Sequence, residues 1–206
     1  MKSILFKGEI EHAHIKGKPV EIYNVVTNID KSMNDLADKT YEMKQLFLKI
    51  NSSNAGDTFH KAADAMENLS KRVKGISEEL NNIQNDVCSY IENNCNGYEG
   101  RSSPSPRRKM TEFSIAKNIA STSELEYSRE NINELLLKFK TYATTLKDTI
   151  DKIEKAKERI GNIWCDPQYE KFSSYIGDSM HDLKTLGDKA YSAARELHQK
   201  SKSMKQ

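Results

Sequence analysis

Three cysteines, five histidines and a dense scatter of carboxylates are the side chains here that could do chemistry, so their spacing is the first thing to read. His12 and His14 would share one face of an extended segment, as two metal ligands do, but a zinc site needs a third and usually a fourth ligand. Solvent-facing histidines are the simpler account. Cys165 stands in a turn at the start of a helix, where the thiolate is favoured, yet no histidine lies near it in sequence to act as a base. Cys88, Cys95 and Cys165 are odd in number and form no C-x-x-C pair, which argues against a disulfide framework. His60 and His181 each fall early in the second helix of a hairpin, beside its apolar seam, where packing or surface roles suffice. The chain holds no G-x-S-x-G, no H-E-x-x-H and no phosphate-binding glycine loop. Its aspartates and glutamates fall on outward helix positions. The expectation is a protein that is not an enzyme, with no catalytic residue, no bound metal and no cofactor.

What remains is architecture. At 206 residues with 36% hydrophobic and 30% charged side chains and nine glycines, the composition suits long helices better than a mixed fold. The 32 basic and 30 acidic residues are spread along the chain and leave a net charge of +2, so no field favours nucleic acid. Nothing approaches the roughly eighteen apolar residues of a membrane span. The run Ile4-Leu5-Phe6 is too short for a signal-peptide core, so the expected location is the cytoplasm before any export, and export without a cleaved signal.

Residues 1–24 are the one stretch whose pattern is not helical. Ile4, Phe6, Gly8 and Ile10 alternate with Leu5, Lys7, Glu9 and Glu11, Lys16-Gly-Lys-Pro19 interrupts, and Val20, Ile22 and Tyr23 follow, which predicts a short β-hairpin. From Val25 the period becomes helical. Ile29, Leu36, Met43 and Ile50 recur every seven residues, with Met33, Thr40 and Phe47 on companion positions. After the turn residues Asn51-Ser-Ser-Asn-Ala-Gly-Asp57, a second seam runs through Phe59, Met66, Val73, Leu80 and Val87, interleaved with Ala62, Leu69, Ile76, Ile83 and Tyr90. Apolar side chains spaced by sevens keep one narrow stripe of a helix facing a partner helix. Asn93-Asn-Cys-Asn-Gly97 closes this first hairpin, residues 25–97, with Gly97 as a candidate C-cap. Residues 98–122 form a linker, in which Ser102-Ser-Pro-Ser-Pro-Arg-Arg-Lys109 cannot continue a helix and reads as a solvated connector.

Residues 123–206 make the second hairpin. Ser123-Glu-Leu-Glu126 is a capping-box signature, and Ile132, Phe139, Leu146, Ile153 and Ile160 form the seam of the incoming helix. Ile176, Leu183, Ala190, Leu197 and Met204 form that of the outgoing one. Between them lies Ile160-Gly-Asn-Ile-Trp-Cys-Asp-Pro-Gln-Tyr-Glu-Lys-Phe172, with the chain's one tryptophan. Gly161 could close the first helix in a left-handed conformation, and Asp166-Pro167 fits an N-cap and first-turn proline. Trp164 has two readings: it caps its own helices, or it offers an apolar anchor to a partner, a role in which tryptophan is enriched. The fold expected is all-α, two long antiparallel helical hairpins in a four-helix or coiled-coil arrangement.

The two tips share a form. Trp164 is followed by Asp166, Gln168 and Phe172 as Asn51 is by Ser53, Ala55 and Phe59, each phenylalanine standing eight residues on. On Trp164 and Phe172, the chain resembles the WXG100 (ESAT-6-like) family and the related LXG-type helical modules of type VII secretion, in tandem form. Asp166 and Ser53 stand where that family has glycine, and Asn51 where it has tryptophan. Tyr191-Ser-Ala-Ala-Arg195-Glu196 is similar to the family's export signal, with the acid one position later. The resemblance implies helical hairpins that pair into four-helix bundles and act through protein partners: a secretion ATPase, a toxin's helical leader, another hairpin protein or a second copy. It places the partner-binding turn at Trp164, Asp166, Tyr169 and Phe172, with Asn51, Ser53, Ala55 and Phe59 as its counterpart. The reading from a different class is an intracellular coiled-coil scaffold.

Overall fold

The computed structural model describes residues 18–51, 57–94, 129–164 and 167–203. They form four helices, α1 (Pro19–Asn51), α2 (Asp57–Asn94), α3 (Arg129–Gly161) and α4 (Pro167–Ser203), and no strand. The all-α expectation holds. One correction falls at the N-terminus: Val20, Ile22 and Tyr23, read as a second strand, lie in the first turns of α1. Pro19 is the reason. Its fixed φ and missing N–H suit the first helical position, and the Ile22 N–H donates to the Lys18 carbonyl at 3.0 Å, beginning the helical ladder. Ile22, Val26, Ile29 and Met33 then follow at helical spacing and are all buried. The predicted first strand, with His12 and His14, lies outside the described residues, as do residues 98–122, Gly97 and the capping box at Ser123.

The helices pack as two compact units that do not follow the two hairpins. One gathers α1 up to Asp35, α2 from Gly75, α3 from Thr149 and α4 up to His181. Its core is built by Ile22, Ile29, Leu80, Ile83, Ile153, Ile160, Phe172 and Ile176, all at most 1% exposed. The other gathers α1 from Leu36, α2 up to Lys74, α3 up to Asp148 and α4 from Asp182, around Leu36, Phe59, Met66, Val73, Phe139, Leu183, Ala190 and Leu197. The sequence divides into hairpins because its turns do; the packing divides otherwise because each seam is completed by helices of both hairpins. Every seam position of the heptad reading whose side chain is described is buried.

Polar residues on or beside the seams bond from helix to helix. In the first unit Ser77 donates to Asn34 Oδ1 at 3.0 Å and Gln84 donates to Thr27 Oγ1 at 3.0 Å, linking α1 to α2. In the second, Thr40 Oγ1 lies 2.7 Å from the Tyr142 hydroxyl, joining α1 to α3, and Arg72 meets Asp182 at 2.9 Å, joining α2 to α4. The Thr40–Tyr142 pair is buried, and a buried polar pair fixes which residues may face each other, since a slipped register strands both partners.

Candidate functional site

The α3–α4 turn is compact. The Ile160 carbonyl accepts from both the Ile163 N–H at 2.9 Å and the Trp164 N–H at 2.8 Å, and the Asn162 N–H donates to the Arg159 carbonyl at 3.3 Å. These bonds satisfy carbonyls that a helix end leaves free. Gly161 is the last residue of α3, and its φ is not in the left-handed region, contrary to expectation. Its role is clearance. A Cβ there would collide with the Tyr169 hydroxyl, so glycine lets the phenol ring of α4 lie across the end of α3. From the other side the Lys18 N–H donates to the Ile163 carbonyl at 3.1 Å, tying the start of α1 to the turn.

This geometry holds Trp164 in the core. The indole is fully buried, with its ring centroid 5.7 Å from Phe172 at 34° and 6.2 Å from the half-buried Tyr169 at 54°. The eight-residue spacing therefore brings Trp164 and Phe172 into contact, with Tyr169 beside them. In this state the ring caps its own helices. The indole Nε1–H finds no acceptor among the described residues. Asp166 and Cys165 lie outside the described residues. Pro167 opens α4, as its ring geometry predicts.

The α1–α2 tip, which belongs to the other unit, is built differently. Asn51 is the last residue of α1, Ser53 and Ala55 lie outside the described residues, and Phe59 is fully buried in the first turns of α2. Phe59 pairs with Phe47, ring centroids 5.8 Å apart, so the aromatic partner comes from the incoming helix and not from the turn. Phe47 also meets Phe139 edge-on at 6.4 Å, and Phe139 in turn contacts Tyr142 at 5.8 Å and Tyr191 at 6.3 Å. Tyr191, the tyrosine of the segment compared above with an export signal, thus has its ring against Phe139 of the core. Sequence reasoning missed this cluster. Its signal was present in Tyr142, which stands three residues after the seam position Phe139, where a heptad has its companion apolar site.

Among the described residues no three histidines, cysteines or carboxylates come together as metal ligands. Cys88 is a half-buried thiol, not a disulfide half, His60 is half-buried and His181 exposed. No described helix is long and apolar enough to cross a membrane. Comparison with protein families, with curated proteins and with solved structures finds no match for the chain.

Proposed function

We propose that the chain is a non-enzymatic helical protein of a type VII-like secretion system, acting as an exported WXG100-like protein or as the targeting partner of a toxin's helical leader. The observation that carries this reading is the Trp164–Phe172 pair, 5.7 Å apart at the turn between two heptad-patterned helices. Its spacing is the one by which the chain resembles that family. A partner would meet this fold on its outer faces or at the α3–α4 turn, because the seams that would otherwise receive a helix are buried against the chain's own helices. The test is location: the protein in the culture supernatant when the host's secretion ATPase is intact, and retained in the cells when it is inactivated. Equal retention in both strains counts against the reading.

The burial of Trp164 favours a second reading. A tryptophan that serves as core needs no partner, and an intracellular scaffold built from the same helices would keep it. Co-purification with cytosolic proteins, unaffected by loss of the secretion ATPase, is the result expected of a scaffold.

A further inference from the structure

The two tips supply an internal comparison. Phe47 and Phe59 close one unit with two hydrocarbon rings, 5.8 Å apart and both fully buried. Trp164 and Phe172 close the α3–α4 turn at nearly the same separation, 5.7 Å, so this fold can cap a helix pair without tryptophan. What the indole adds over phenyl is a larger ring and an N–H, and that N–H is buried with no acceptor among the described residues. A buried donor left unsatisfied forfeits its bond to water, a penalty that shifts the balance toward opening by roughly ten-fold. The turn is also lightly held. Beyond the bonds of Asn162, Ile163 and Trp164 to the last turn of α3, the one backbone tether among the described residues is that from Lys18 to Ile163. The ladders of α3 and α4 do not depend on it.

We propose that the Asn162–Trp164 turn is a latch, which opens locally and brings the indole out of the core while the four helices stay folded. Opened, Trp164 presents a flat apolar ring with a free donor, which fits an apolar pocket carrying a carbonyl or carboxylate acceptor. The latch reconciles capping with anchoring: the ring does the first when closed and the second when open. It rests on the reading of this turn as a recognition element, and its test does not involve secretion.

Trp164 is the chain's only tryptophan, so indole signals report on this residue alone. In the full chain, hydrogen exchange followed by NMR should show the indole N–H exchanging at least ten-fold faster than the protected amides of Ile153 and Ile176, with native helix content retained. Exchange of all three at one rate, that of global unfolding, overturns the proposal. Trp164→Phe keeps a ring and removes the unpaired donor, and its denaturation midpoint should match or exceed that of the parent. A ten-fold or greater loss in its folding constant would show that the indole is held by contacts phenyl cannot replace, and would overturn the latch. Fast indole exchange in a protein whose location ignores the secretion ATPase would keep the latch and remove the secretion reading.

Discussion

Tyr142→Phe removes one oxygen atom from the contact between α1 and α3. The Thr40 hydroxyl already donates its single proton to the Leu36 carbonyl at 2.7 Å, so in the 2.7 Å bond between Thr40 and Tyr142 the phenol must be the donor. The substitution leaves the ring's edge-on contact with Phe139, 5.8 Å between centroids, in place. A neutral hydrogen bond contributes about 0.5 to 1.5 kcal/mol net, and Thr40 keeps its bond to Leu36, so the expected loss is about 1 kcal/mol. For a chain of this size that lowers the melting temperature by about 2 to 4 °C. The same bond carries a pH signature. Burial holds the Tyr142 phenol protonated well above its usual range, and that protonated form is the one that donates to Thr40. In the unfolded chain the phenol ionises near about pH 10. The folded state thus keeps a proton that the unfolded state has lost, and this contribution, complete below about pH 10, falls away as pH rises, by at most about 1.4 kcal/mol per unit. Urea denaturation of the parent, Tyr142→Phe, Thr40→Val and the double variant, at about pH 8 and again above about pH 10, measures both effects. The gap between parent and Tyr142→Phe should narrow in alkali. A coupling below about 0.3 kcal/mol, within the scatter of independent sites, or an unchanged gap at high pH, would refute this account.

Leu80 is fully buried in the unit formed with the first half of α4, and Leu80→Ala should cost about 2 to 5 kcal/mol in denaturant unfolding. Gly75 lies exposed within α2 with nothing within 4 Å of where a Cβ would stand, so Gly75→Ala should stabilise by about 0.5 to 1 kcal/mol through helix propensity alone. Gly187→Ala should do the reverse, because a Cβ there runs into Leu146 of α3; a raised midpoint would show that Leu146 moves aside at little cost. Gly161→Ala should lower the melting temperature by displacing Tyr169 from the end of α3, and Tyr169→Ala in that background should recover part of the loss.

The seams were legible because a heptad is a local statement. Phe59, Met66, Val73 and Leu80 fall on one stripe whatever they pack against, and all are buried. Trp164 and Phe172 were legible for a similar reason, since a turn of fixed length brings the start and end of a short segment together. The fault at residues 20–23 came from reading Pro19 as a breaker when its backbone geometry begins a helix, and from an alternation too short to outweigh Ile22, Val26 and Ile29. Thr40 and Tyr142 could not be paired in advance. They are 102 residues apart, and a polar side chain on a seam announces only that it needs a partner. The division into units was beyond reach for the same reason: hairpins are written in turns, whereas units depend on which helices of different hairpins complete each other's cores.

All four helices belong to one polypeptide, and each unit draws a segment from every one of them. A bundle assembled from two separate hairpin chains is held by mass action and comes apart on dilution, because its folded population carries a concentration term. Here the joining of hairpin to hairpin is intramolecular, so that step of packing carries no concentration term of its own. The covalent connection between α2 and α3 thus sets an effective concentration that no encounter in solution has to supply.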